Sequence, residues 1–510
     1  MSKTFGFLFG AGAEISYKMP SGGEFALDIF REDTTKSKEK FKDLRSAIEP
    51  SNTYASKWLP KEYSDKKVAT FTTRVFEELI KETIENNRKL IVNRINSFDN
   101  LAKAVIKRMD EGKENADQID NVIFNDLKKY PTNISAEQLL SFSSYLNSNE
   151  LNGNGLFENR YFGVLLEYYK KLDKLDFSIS DQQYLQDIIK TILQLQIGAM
   201  SSEVSRNLED NVFEVDKLNF DFFDDLGGTL RVDFSTAGVQ GLTLITKRKD
   251  ISKSHPIIQF GFKVLDMIFS EVLNYKTLID SYWYFLYTPK TDWAKFCKIS
   301  IFLWNVRQYI VNQVEDKVDK TARGYYEELE GSSLNEEQMI IGTTNYSNLI
   351  NEKLHSKNII FLNGNINEFY DPYLNTIGSE EELNKVESHF IVPLLFTQSG
   401  TKPMTAISMS EKYVDYYRKL KAADAICTIG FGFNPDDEHI NGIIRTLINK
   451  DNKELYVIKP DSGKDVKEES EELAVKLRVI NPQKIHIIFI NPKTRRDENG
   501  NLWINVLEKL

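Results

Sequence analysis

Apolar residues follow two rhythms along this chain. From about Glu24 to Glu337 they recur mostly at helical spacing. Val75–Met109, Gln138–Leu151, Asn159–Leu172, Gln183–Met200 and Phe260–Lys276 read as helices, parted by loops rich in Asn, Ser, Asp and Lys. Asp225–Leu244 breaks that rhythm with glycines and short β-like runs, and reads as a hairpin or an irregular loop. After Asn335 short apolar runs alternate with helical stretches. Met339–Gly342, Ile359–Leu362, Ala425–Ile429, Glu454–Ile458 and Ile485–Ile490 read as strands, and Phe390–Phe396 is a further apolar run. Ser347–Lys353, Ser410–Ala422 and Asp436–Asn449 read as the helices between them. Such alternation builds a parallel sheet with helices on both faces, and ligands bind such sheets at the carboxyl ends of the strands.

The same pattern appears at the N-terminus. Thr4–Phe9 is a short apolar run, the mark of a strand buried on both faces. Gly10, Ala11 and Gly12 follow it, then Ala13, Glu14 and Ser16, and Gly23–Phe30 supplies a following helix. A glycine pair behind a buried strand lets the backbone turn tightly and lets a phosphate approach the main chain. The dinucleotide fingerprint needs a third glycine where this chain has Ile15, so a plain turn and a phosphate-binding turn both fit.

The aromatic-dense stretch Ser281–Val311 reads as a helix-packing core, with a ligand box or a subunit interface as the other readings. The charge run Glu315–Arg323 reads as a solvated helix face. A chain of 510 residues has room for more than one domain, or for one domain with a large insertion. A formal charge of −10 argues against wholesale attraction to nucleic acid. Cys297 and Cys427 are the two cysteines and form no Cys-x-x-Cys pair, so a four-cysteine zinc site is excluded and a reducing cytoplasm is favoured. Neither a signal peptide nor an apolar run of about 20 residues is visible, so no membrane span is expected.

Several phrases then stand in a telling order: GAGAE with Met19-Pro20-Ser21-Gly22, TTNYSNLI, FLNGNI, PLLF followed by TKP, and KAADAICTIGFGFNPDDEHIN. This set resembles the sirtuin-like superfamily, over about Met1–Ile29 and Gln338–Asn491. The resemblance implies a Rossmann-like α/β domain made from residues 1–30 and 338–510, with 31–337 as one large, mainly helical insertion. It also implies an NAD site. Gly10, Ala11 and Gly12 would cradle the pyrophosphate, with Glu14, Pro20, Ser21 and Thr344 beside it. Gly430, Phe431 and Asn434 would border the adenosine end. Asn345 would sit by the nicotinamide ribose and share the catalytic role with Asn363. His439 reads as structural, on the buried face of its helix, with service as a base as its other reading.

Members of this family break the bond between nicotinamide and ribose. The lack of zinc cysteines points to the zinc-free bacterial branch, whose NAD hydrolases act as effectors of anti-phage defence. For such an effector the resemblance implies homo-oligomers, or a complex with a separate sensor, nucleotide-binding or ATPase subunit. Two positions depart from the family's pattern. Asn363 stands where a histidine is usual, and Ser347 where an acid often stands. An amide cannot take a proton near neutral pH. Three readings follow: Asn345 and Asn363 orient a water well enough; another base such as His355, His389 or Glu14 enters the site; or the chain binds NAD or ADP-ribose without cleaving it, as a sensor or regulatory subunit.

Overall fold

In a computed structural model of the chain, β1 (Phe5–Phe9) is buried at every position, because it lies at the centre of a six-stranded parallel sheet. The structure describes residues 3–20, 29, 33–71, 81, 83–110, 117–136, 155–199, 234–247, 251–270, 272, 275–355, 358–395, 406–461 and 465–508. Three expectations lie wholly or mostly outside them: the helix over Gly23–Phe30, the helix over Gln138–Leu151, and the position of Ser21.

The sheet also contains β2 (Met339–Thr343), β3 (Ile359–Phe361), β7 (Ala425–Ile429), β8 (Glu454–Pro460) and β9 (Ile485–Ile490), in the spatial order β3-β2-β1-β7-β8-β9. That is the Rossmann-like order: the chain builds outward from β1 on one side, then returns and builds outward on the other. The register brings Phe9 level with Thr343 on one side and Ile429 on the other. The turns after β1, β2 and β7 therefore emerge together at the switch point, where this architecture leaves a crevice.

Both faces of the sheet are covered. On one face Phe5, Phe7 and Phe9 pack with Trp503, Tyr326 and Leu349, and the Phe7 ring meets the Trp503 ring edge-on at 6.3 Å. On the other, Leu8, Ile426 and Leu455 pack under the helices Ile407–Ala422 and Glu438–Asn449. Phe390–Phe396 departs from the expected parallel sheet. Its strand β6 (Val392–Pro393) joins β4 (Phe369–Asp371) and β5 (Thr376–Gly378) in a separate antiparallel sheet.

The chain divides into two compact units, whose boundaries differ from those expected for the insertion. Residues 32–71 and 275–337 belong with the sheet; residues 26–31 and 72–274 form the other unit. The aromatic stripe explains why. Trp304 stacks on Phe369 at 5.3 Å and donates from its indole nitrogen to the Ile391 carbonyl, while Phe41 stacks on Phe390 at 4.7 Å. The stripe is thus a packing core. The charge run after it is only partly helical: a π turn ends at Lys317, and Val318 is buried.

The elements of the second unit are all helices among its described residues, with Phe98, Phe162, Ile188 and Phe262 in its core. Helices Arg88–Asn96, Phe98–Asp110, Arg160–Lys170, Ile179–Ala199 and Pro256–Phe269 realise the expected periodicity. Phe234–Lys247 is also a helix, against the expected hairpin or irregular loop over Asp225–Leu244, of which residues 225–233 lie outside the described residues. Its glycines mark close packing, not turns: a Cβ on Gly238 would lie 2.6 Å from Ile84, and one on Gly241 2.5 Å from Thr191. Among the described residues no helix is long and apolar enough to cross a membrane.

Candidate functional site

The site begins where the β1 turn meets the β7 turn, main chain against main chain. The Gly10 N–H donates to the Ile429 carbonyl and the Gly12 N–H to the Gly430 carbonyl, both at 2.9 Å. A Cβ on Gly10 would lie 2.6 Å from the Gly430 oxygen, and one on Gly12 2.7 Å from the Gly430 Cα. Gly430 itself has φ +62°, and a Cβ there would lie 2.2 Å from the Ala13 nitrogen. These three glycines are required by the contact between two turns, a reason the sequence did not disclose. Their geometry also means that the N–H groups of Gly10 and Gly12 are spent on the β7 turn and not free for a ligand. Ala11 is the exposed residue of the turn, and Pro20 is half-buried.

A short 3-10 helix, Ala11–Tyr17, carries Glu14 inward from this turn. Glu14 is only 3% exposed, and its Oε1 accepts from the Ser347 hydroxyl at 2.7 Å and the Tyr326 hydroxyl at 3.0 Å. Burial raises its pKa, against the lowering influence of those donors and of Asn345. The pairing changes the meaning of Ser347. No acid stands in sequence after Asn345-Tyr346, but a carboxyl group reaches that place from the β1 turn.

Asn345 is buried and held on three sides. Its main-chain N–H donates to the Thr343 hydroxyl, and its amide nitrogen donates to the Gly10 carbonyl at 3.1 Å and the Tyr326 hydroxyl at 3.3 Å. Thr344 fixes the turn by donating its N–H to the Phe9 carbonyl. Gly10, Glu14, Thr344 and Asn345 are thereby brought together. Tyr326 joins them unannounced, from a segment expected to belong to the helical middle. Its ring stacks on Tyr17 at 5.4 Å, and Tyr17 donates its hydroxyl to Glu327, which Lys353 holds at 2.7 Å. Its only signal in sequence is its place shortly before β2.

Asn363 follows β3. The Leu362 N–H donates to the Thr343 carbonyl and the Ile366 N–H to the Tyr346 carbonyl, so the β3 turn lies along the β2 turn. Asn363 is 5% exposed, and its Oδ1 lies 3.0 Å from the His439 Nε2. The residues after β7 divide. Phe431 is buried in the sheet core and meets Phe433 edge-on, whereas Asn434 is exposed. Phe433 is a non-glycine residue at φ +51°, a conformation that costs about 1–3 kcal/mol.

Neither cysteine contributes a nucleophile: both are buried, Cys297 pushed up to about 12 by burial and Cys427 raised well above its ordinary value by the same cause. Among the described residues no three His, Cys, Asp or Glu side chains gather as a metal site. His389, a base candidate from the sequence, is buried against Asp371 at 2.7 Å beside β4. Comparison with family models, curated proteins and solved structures finds no match to this chain.

Proposed function

We propose that the chain is an NAD+ hydrolase that cleaves the bond between nicotinamide and ribose and releases ADP-ribose. The observation that carries this reading is the polar cluster at the switch point of the parallel sheet: Asn345, locked between the Gly10 carbonyl and the Tyr326 hydroxyl, beside the buried carboxyl of Glu14. Two features of the residues suit such a substrate. The glycine turn, with Ala11 exposed on it, stands at the strand ends where Rossmann-like sheets bind ligands. The leaving nicotinamide departs from a sugar carbon that becomes positive, and fixed dipoles or a carboxylate nearby stabilise that charge. Asn345 supplies the first and Glu14 the second.

An effector role in anti-phage defence, in the cytoplasm, belongs to the same proposal. So does a partner, either further copies of the chain or a separate sensor, nucleotide-binding or ATPase subunit, with the helical unit as its seat. The test is NAD consumption by the full chain, alone and with any protein that co-purifies. Asn345→Ala is expected to lose on the order of 10²–10³-fold in rate, as removal of one fixed dipole does at other active sites. Retention of full activity by that variant would remove Asn345 from the mechanism. Tight binding of NAD or ADP-ribose without turnover would instead mark a nucleotide-binding module, the reading that an amide at position 363 favours.

A further inference from the structure

We infer that Tyr326, on the helix Tyr325–Glu330, is a positioning residue of this site: its hydroxyl holds the Asn345 amide with the nitrogen toward the protein and the oxygen toward the substrate. The inference rests on the NAD-cleaving reading above.

An asparagine side chain has a donor end and an acceptor end of nearly the same shape, so its neighbours must decide which way it points. Both neighbours of Asn345 decide it the same way. The Gly10 carbonyl only accepts, so the group that faces it at 3.1 Å is the amide nitrogen. The Tyr326 hydroxyl can donate or accept, and Glu14 settles which. The Glu14 Oε1 accepts the phenolic O–H at 3.0 Å, which leaves a phenolic lone pair for the second amide N–H at 3.3 Å. Burial, and then the charge of Glu14, hold the Tyr326 hydroxyl well above its ordinary pKa, so it keeps its proton. The hydrogen bonds therefore run in one direction, from Asn345 to Tyr326 to Glu14.

Both N–H groups of Asn345 are thus spent on the protein. Its amide oxygen accepts from no described residue, although Asn345 is only 6% exposed. That oxygen is the negative end of the amide dipole. The ribose carbon turns positive as nicotinamide departs with the bonding electron pair, so an amide with its oxygen toward the substrate has the sign the reaction needs. Turned by half a revolution, the same amide would oppose it. Tyr326 is itself firmly placed. Its main-chain N–H donates to the Tyr17 hydroxyl at 3.0 Å, its ring stacks on Tyr17, and it meets the Phe9 ring edge-on at 5.2 Å. Phe9 directly precedes Gly10, so both partners of the Asn345 nitrogen are anchored at the end of β1. Tyr326 is fully buried and acts through Asn345, not on the substrate.

The test uses the full chain with Tyr326→Phe, Ser347→Ala, Asn345→Ala, and Tyr326→Phe combined with Asn345→Ala. Tyr326→Phe keeps the ring and removes only the hydroxyl. The kcat and KM of NAD consumption are measured, with hydrogen exchange of the Asn345 side-chain amide after selective asparagine labelling; its signal is the one absent from Asn345→Ala. Tyr326→Phe should lower kcat on the order of 10²-fold and change KM by less than about threefold. Ser347→Ala removes the other donor to Glu14 but leaves Asn345 held, and should cost at least about tenfold less. In the Asn345→Ala background Tyr326→Phe should change the rate by less than about twofold, because the residue it acts through is already gone. The amide protons should exchange slowly in the parent and faster in Tyr326→Phe. If Tyr326→Phe keeps the parent kcat while Asn345→Ala loses it, the inference is overturned and the NAD-cleaving reading stands. Full additivity of the two substitutions overturns it in the same way. So does a parent Asn345 amide that exchanges as freely as an exposed one, a result read even if Tyr326→Phe does not fold. If the parent consumes no NAD, alone or with co-purifying protein, the reading falls and this inference with it.

Discussion

Glu14 is a carboxyl group sealed from water beside two hydroxyl donors, and its titration follows from that. Burial raises its pKa above the ordinary 4.5, so the folded state holds the proton more tightly than the unfolded chain. Its favourable contribution is complete below that value and is lost as pH rises through the folded pKa. Glu14→Gln, which keeps an acceptor for Ser347 and Tyr326, should therefore gain stability over the parent near about pH 8 and lose that gain near about pH 4. Urea unfolding at the two pH values measures this; a gain confined to the acid side would refute it. Gly430 permits a second prediction of this kind. Gly430→Ala meets main chain at 2.2 Å and demands a left-handed alanine, so it should cost about 1–3 kcal/mol from overpacking and about 1–2 more from conformation. A neutral result in thermal unfolding would show that the two turns separate freely. At this scale the sequence displays the glycines, Asn345 and the amide at 363. It hides the pairings of Glu14 with Ser347 and of His439 with Asn363. Those partners lie 333 and 76 positions apart, and no spacing rule reaches that far.

Elements are legible where burial alone decides them. The strands of the parallel sheet are short apolar runs, since both faces are covered, and their limits fall close to expectation. The helix Phe234–Lys247 departs from expectation because glycine is ambiguous: it marks turns, and it also marks places where helices touch. The antiparallel sheet is hidden because β4, β5 and β6 span two or three residues each, too few for alternation to show. That sheet carries its own titrating link. Burial disfavours the charged form of His389, but the hydrogen bond and charge of Asp371, with Glu387, outweigh it and raise its pKa above 6.5. A raised histidine stabilises below its unfolded value, and the effect fades as pH rises through the folded one. His389→Gln should thus cost more stability near about pH 5.5 than near about pH 9, as chemical denaturation at both would show.

For the molecule as a whole, two units with separate cores imply two unfolding transitions, and a ligand at the strand ends should raise only the one that belongs to the sheet. At a hundredfold excess over its dissociation constant it would add about 2.7 kcal/mol. Calorimetry with and without NAD checks this, and an equal rise of both transitions would refute it. The division into two units is only partly legible, because helical periodicity does not say which core a helix serves. The contact between the β1 and β7 turns has a consequence in time. The strands that end in them are joined by a mutual pair of hydrogen bonds between Thr4 and Asp424, 420 residues apart. At about 5–20 residues per second, a ribosome needs about 20–80 s to make the stretch between them. Throughout that time the nascent chain carries only half of the contact between the two turns, and under the proposed activity it would not yet consume NAD. On that proposal translation itself would act as a safety interval, and a prematurely terminated product that stops before β7 would lack the partner turn that the site is built on.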